Sequence, residues 1–105
     1  MNTETDDLLH AKLNTETGQI GWVELQRHFA RGAVITLDQA MDLVAVAVAV
    51  SRDERAQVAA WIAAGQVRHA SDADALRWHE RQSRFWAVVA APWVLVQEIP
   101  TQAQA

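Results

Sequence analysis

Phe85-Trp86-Ala87-Val88-Val89-Ala90-Ala91-Pro92-Trp93-Val94-Leu95-Val96-Gln97 is an uncharged run dominated by β-branched, aromatic and small residues. That composition marks extended chain rather than helix. Thirteen residues fully extended would reach ~43 Å at ~3.3 Å each. A chain of 105 residues folds to a radius of gyration of ~13 Å, or a diameter of roughly 33 Å as a sphere. The segment must therefore bend or project. Pro92 is the expected break, because it donates no ladder hydrogen bond and is tolerated mainly at edges and bulges. Ala91-Pro92 lacks the glycine or asparagine that two-residue hairpin turns favour, which argues against a tight hairpin. The reading is one long, Pro-kinked C-terminal edge strand.

An edge strand exposes unpaired amides and carbonyls, and charge is the common device that blunts it. No charge lies between Arg84 and Glu98. The sequence thus points to pairing with another chain, a second copy first, through a surface around Trp86, Pro92, Trp93 and Leu95. The competing reading places both tryptophans in the chain's own core beneath a covering helix or loop. Their separation of seven puts Trp86 and Trp93 on opposite faces of a regular strand, unless a bulge at Pro92 resets the alternation.

Upstream of this run, Ser71-Asp72-Ala73-Asp74 signals a helix start, with the helix reaching about Gln82. Val67 centres a short strand within 66–70. Ser51-Arg52-Asp53-Glu54 reads as a capping box. It opens a helix with Val58, Trp61 and Ile62 on one side and a stop at Gly65. The other sides hold Ala59, Ala60, Ala63 and Ala64, small enough for close helix packing. Val44 to Val50 alternates at period two, but alanine is a poor strand former. A cap at Asp38 with Gln39, Met41 and Leu43 favours a buried helix over 39–50. Ala33 to Leu37 is a strand.

Trp22, Leu25 and Phe29 form one stripe of a helix at 22–31, with Glu24, Arg27, His28 and Arg31 opposite and Gly32 as its end. Gly18 and Gly21 loosen the chain around Ile20. Asp6-Asp7 precedes Leu8, Leu9 and Leu13 in a short first helix. The sum is α+β: four to five helices packed on a small, mostly antiparallel sheet. One domain spans 1–105, with an ordered core at about 7–98 and a flexible tail at 99–105.

Half the residues are hydrophobic and 21% are charged, an ordinary globular composition. With no cysteine, disulfides, Cys-ligated zinc, thiol nucleophiles and iron–sulfur clusters are excluded. A net charge of −4 argues against nucleic acid or anionic membrane as partner. Leu43 to Val50 is the longest apolar run, eight residues against the ~20 of a membrane span. The acidic start is unlike a signal peptide, and the expected location is cytoplasmic.

Little in the chain converges on chemistry. His69, Asp72, Asp74 and His79 are suitable metal-ligand types. However, Asp74 and His79 lie ~140° apart on the helical wheel and ~7.5 Å apart along the axis. Asp72 and Asp74 have a plainer place beside a helix N-terminus, and His79 is expected to be partly buried and hydrogen-bonded. Glu24 and His28 stand one turn apart and could form an acid–base pair or half a metal site, with Arg27 or Arg31 holding an anion. A solvated face with local ion pairs explains the same four residues. Ser51 and Ser71 are used as caps, Ser83 lacks a nucleophile-elbow setting, and the glycines form no phosphate loop. Arg68, Arg77, Arg81 and Arg84 are the nearest approach to a nucleic-acid surface, but Asp74 and Glu80 compensate them. No cofactor or metal is expected.

Trp22 to Gly32 (Trp-Val-Glu-Leu-Gln-Arg-His-Phe-Ala-Arg-Gly) and Ala91 to Glu98 (Ala-Pro-Trp-Val-Leu-Val-Gln-Glu) resemble a family of small bacterial proteins, domain of unknown function 2288. The resemblance covers roughly residues 7–98. It implies a bacterial, single-domain, cytoplasmic protein and supplies no activity, ligand or catalytic residue. The leading expectation is therefore a non-enzymatic interaction or assembly module, a homodimer through its C-terminal strand region. The alternative is a small-molecule or metal-dependent enzyme or binding protein using the Glu24/His28 face.

Overall fold

The computed structural model describes residues 3–100, with side chains from Asp7 onward. Most of the tail expected to be flexible, from residue 101, lies outside the described residues. In chain order the elements are α1 (Thr3–Glu16), β1 (Gly18–Gly21), α2 (Trp22–Ala30), β2 (Val34–Leu37) and α3 (Leu43–Ser51). They continue as α4 (Arg55–Ala63), β3 (Val67–His69), α5 (Asp72–Arg81), β4 (Arg84–Ala90) and β5 (Trp93–Glu98). Among the described residues no helix is long and apolar enough to cross a membrane.

The strands form one sheet in the order β1-β4-β5-β2-β3. β5 runs parallel to β2, and the other three pairings are antiparallel. The long kinked edge strand is overturned. Residues 84–98 fold back on themselves as β4 and β5, with Ala90 opposite Trp93 and only Ala91-Pro92 between them. The Ala91–Pro92 peptide bond is cis. The glycine and asparagine preference belongs to turns needing positive φ, and neither Ala91 nor Pro92 has one. Nor is β5 at an edge: it is the middle strand, with β1 and β3 on the two borders. A strand covered on both faces reads as a continuous apolar run, so the missing charge marks an interior strand rather than an unblunted edge.

Register sorts the side chains into two cores, one on each face of the sheet. Phe85, Ala87, Val94, Val96 and Val34 meet Trp22 and Leu25 of α2 and Trp78 of α5. Ile35, Leu37, Val67, Val88 and Leu95 meet Leu13 of α1 and Leu43, Val44, Val46 and Ala47 of α3. Because the hairpin reverses the chain, Trp86 and Trp93 face the same side, contrary to the spacing argument for a single strand.

The helix expected over 39–50 forms four residues late. Asp42, not Asp38, is its N-cap, and the Asp42 carboxylate accepts from the Ala45 amide at 3.1 Å. Asp38 instead accepts from the Ala40 amide in the preceding turn. α3 is apolar almost all round and is correspondingly buried. Ser51 is its last residue, so the expected Ser51/Glu54 capping box is absent. Glu54 is the N-cap of α4 and makes no side-chain cap bond. A serine whose backbone still belongs to the preceding helix cannot start the next one. Gly32 (φ 72°) and Gly65 (φ 76°) follow α2 and α4 in the left-handed conformation, as their stop positions require. Gly18 and Gly21 do not loosen the chain: they bound β1, paired to Ala87 and Arg84 of β4.

Candidate functional site

α4 packs on α3 and over β3, yet none of its residues is buried. β3 has only three residues and ends the sheet, so there is little surface for α4 to cover. Val58 and Trp61 turn partly inward, while Ile62 remains 54% exposed. Beneath and beside α4 a cleft of about 590 Å³ opens. Ile35, Val67 and Leu95 contribute buried apolar surface, Val58 and Ile62 come from α4, and Trp93 comes from the hairpin end.

The cleft's charged lining is matched in sign. Asp53 pairs with Arg55 at 3.1 Å, and nearby Arg52 pairs with Glu54 at 3.2 Å. His69 stands edge-on to Trp93, with ring centroids 5.3 Å apart. A volume of this order, mostly apolar with a few polar groups, is typical of binding clefts.

The structure brings Pro92 and Trp93 to this cleft. Leu95 lies below it at 1% exposure, so it shapes the site without offering a side chain to a partner. Trp86 is 42% exposed on the same sheet face, away from the cleft lining. Sequence reasoning missed Val58 and Ile62 as site residues. The one available signal was a helix that is apolar or alanine at every position after Gln57.

On α2, Glu24 accepts from the Gly21 amide at 3.2 Å, closing the helix N-terminus. Arg31 donates to His28 Nδ1 at 2.6 Å. Burial, then the Arg31 and Arg27 charges, push the His28 pKa below its ordinary value. Arg27 is exposed beside them. Glu24 and His28 thus each have a local partner on this face, the Gly21 amide and Arg31 respectively.

Asp74 is almost fully buried. It accepts from Arg68 at 2.6 and 3.1 Å, from Arg77 at 2.7 Å and from the Ser71 amide at 2.9 Å. Burial alone would raise its pKa, but the bonds from Arg68, the Ser71 amide and Arg77 hold it well below the usual carboxylate range. His79, expected to be partly buried, is exposed, because the inward side of α5 is taken by Asp74 and Trp78. Among the described residues no group of three or more His, Cys, Asp or Glu side chains could hold a metal ion.

The family model for "Protein of unknown function (DUF2288)" matches residues 8–98. Among solved structures, the NMR solution structure of PA1075 from Pseudomonas aeruginosa is similar, with 46% sequence identity and a TM-score of 0.79. That match covers 93% of this chain and 91% of the other. No curated protein matches the chain.

Proposed function

The chain belongs to the DUF2288 family of proteins of unknown function, and on that footing we propose that it is a non-enzymatic interaction module that pairs with a second copy of itself across the cleft beside α4. The observation that carries this reading is a nine-residue helix with no buried residue, flanking an apolar cleft. Covering an Ile62-sized side chain stabilises a contact by ~1.5–3 kcal/mol before ordering costs.

Three features favour a second copy as the occupant. A two-fold contact uses the same patch on both partners, so each patch must hold both a projection and a hollow. Ile62 and the cleft satisfy that requirement together. The lining charges are balanced by their own ion pairs, so two copies would not meet like-signed fields. A standard interface takes ~800 Å² from each partner, and a molecule 45 × 26 × 26 Å offers that on one long face. The C-terminal strand region takes part through its turn at Pro92 and Trp93 rather than through strand pairing.

Size-exclusion chromatography with light scattering tests the proposal at tens of micromolar. The expected mass is twice 11.7 kDa, falling to the single-chain value in Ile62→Arg with an unchanged circular dichroism spectrum. A single-chain mass for the unmodified protein would overturn it.

A further inference from the structure

The parallel strands β2 and β5 lie side by side in the middle of the sheet, so their carboxyl ends open on the same border. Asp38 and Gln39 follow β2 there, Glu98 ends β5, Arg68 comes from β3, and Arg77 comes from α5. Together they line a polar cleft of about 310 Å³. Gln39 and Glu98 also line an adjoining hollow beside Arg81. None of this belongs to the apolar cleft under α4 except Arg68, a residue that borders both.

The charges here are sorted and held in place. The Arg68 and Arg77 side chains are 49% and 38% exposed, and both are gripped by Asp74, which is 4% exposed. A guanidinium has five N–H donors, so Arg77, which gives Asp74 one nitrogen, keeps others for a second acceptor. Glu98, at the end of β5, accepts from Trp78 Nε1 at 3.2 Å and from the Ser83 hydroxyl at 2.8 Å, one bond to each oxygen. Each oxygen has a further lone pair. Asp38 is exposed nearby, with one carboxylate oxygen on the Ala40 amide.

A simple anion in this cleft would meet Asp38 and Glu98, and a simple cation would meet Arg68 and Arg77. A small molecule carrying both charges fits the arrangement without a mismatched contact. We propose that this cleft binds a free α-amino acid, with its carboxylate on Arg77 and Arg68 and its ammonium toward Glu98 and Asp38. Planar guanidinium groups suit carboxylate recognition, and the volume lies at the small end of the ~300–1,000 Å³ range for ligand sites. The proposal stands whether the protein pairs with itself or not.

The test is a heteronuclear NMR titration of the full chain with each free L-amino acid at up to ~10 mM, a range that captures millimolar affinity. The N-acetyl and C-amide derivatives of any responder serve as controls. At least one free amino acid should give saturable shifts at the Thr36, Asp38, Gly65 and Glu98 amides. Both blocked derivatives should lose the response. Arg77→Gln should weaken binding tenfold or more, while Arg68 still pairs with Asp74. No saturable shift at those amides, or an equal response to the blocked derivatives, would overturn the proposal.

Discussion

Asp74 shows what a single residue in this chain can and cannot announce. Its place after Ser71 in a capping box is legible from local spacing, and the structure has both reciprocal bonds. Its guanidinium partners are not legible in the same way. Arg77 lies one turn away, but Arg68 reaches Asp74 from another element, β3. The consequence is a pH dependence of fixed sign. Asp74 ionises more readily folded than unfolded, so below the ordinary carboxylate pKa of ~3.9 the unfolded chain binds the extra proton. Its contribution is fully present above that value and is lost as the pH falls through the lower folded pKa. Charge-assisted hydrogen bonds each contribute ~1.5–3 kcal/mol, so Asp74→Asn should cost about 2 kcal/mol at pH 7. Urea titrations of both proteins should show that gap narrowing progressively as the pH falls below about 4. A gap independent of pH would mean that the carboxylate charge contributes nothing to folding.

At the scale of elements, the sequence was legible where a signal had one local cause. The α2 stripe of Trp22 and Leu25, the Gly32 and Gly65 stops and the α5 cap are such cases, and all are found. It misled where one pattern had two causes. An uncharged run fits both an exposed edge and a strand enclosed by neighbours, and only the pairing partners distinguish them. Ser51 to Glu54 has capping-box spacing, but the helix before it had not yet ended. The central position of β5 can be read by hydrogen exchange. Val94, Leu95 and Val96 lie between β4 and β2 and are buried, so their amides should open only with global unfolding. Amides of β1, bounded by two glycines at the sheet border, should exchange much sooner. Equal protection in β1 and β5 would contradict this ordering.

At the scale of the whole molecule, the apolar cleft could not have been read from any window of sequence. Its lining runs from Ile35 to Leu95 and depends on a sheet order in which β5 adjoins β2. What the sequence did contain was the cause of the cleft, a helix too uniformly small and apolar to choose an inward face. α1 and α3 share one core and α2 and α5 the other, leaving α4 tied mainly through the half-buried Trp61. Local opening free energy follows buried contact. α4 should therefore be the described helix between residues 20 and 90 that opens at the lowest cost. Trypsin should cut first at Arg52 or Arg55, both exposed at its start. A second copy seated on α4 would bind only the closed form and stabilise it by mass action. The cleavage rate at those arginines should then fall as protein concentration rises through the pairing range, and Ile62→Arg should abolish that dependence. Early cleavage that ignores concentration would separate the two ideas: α4 would still be weakly held, and the second copy would not be what covers it.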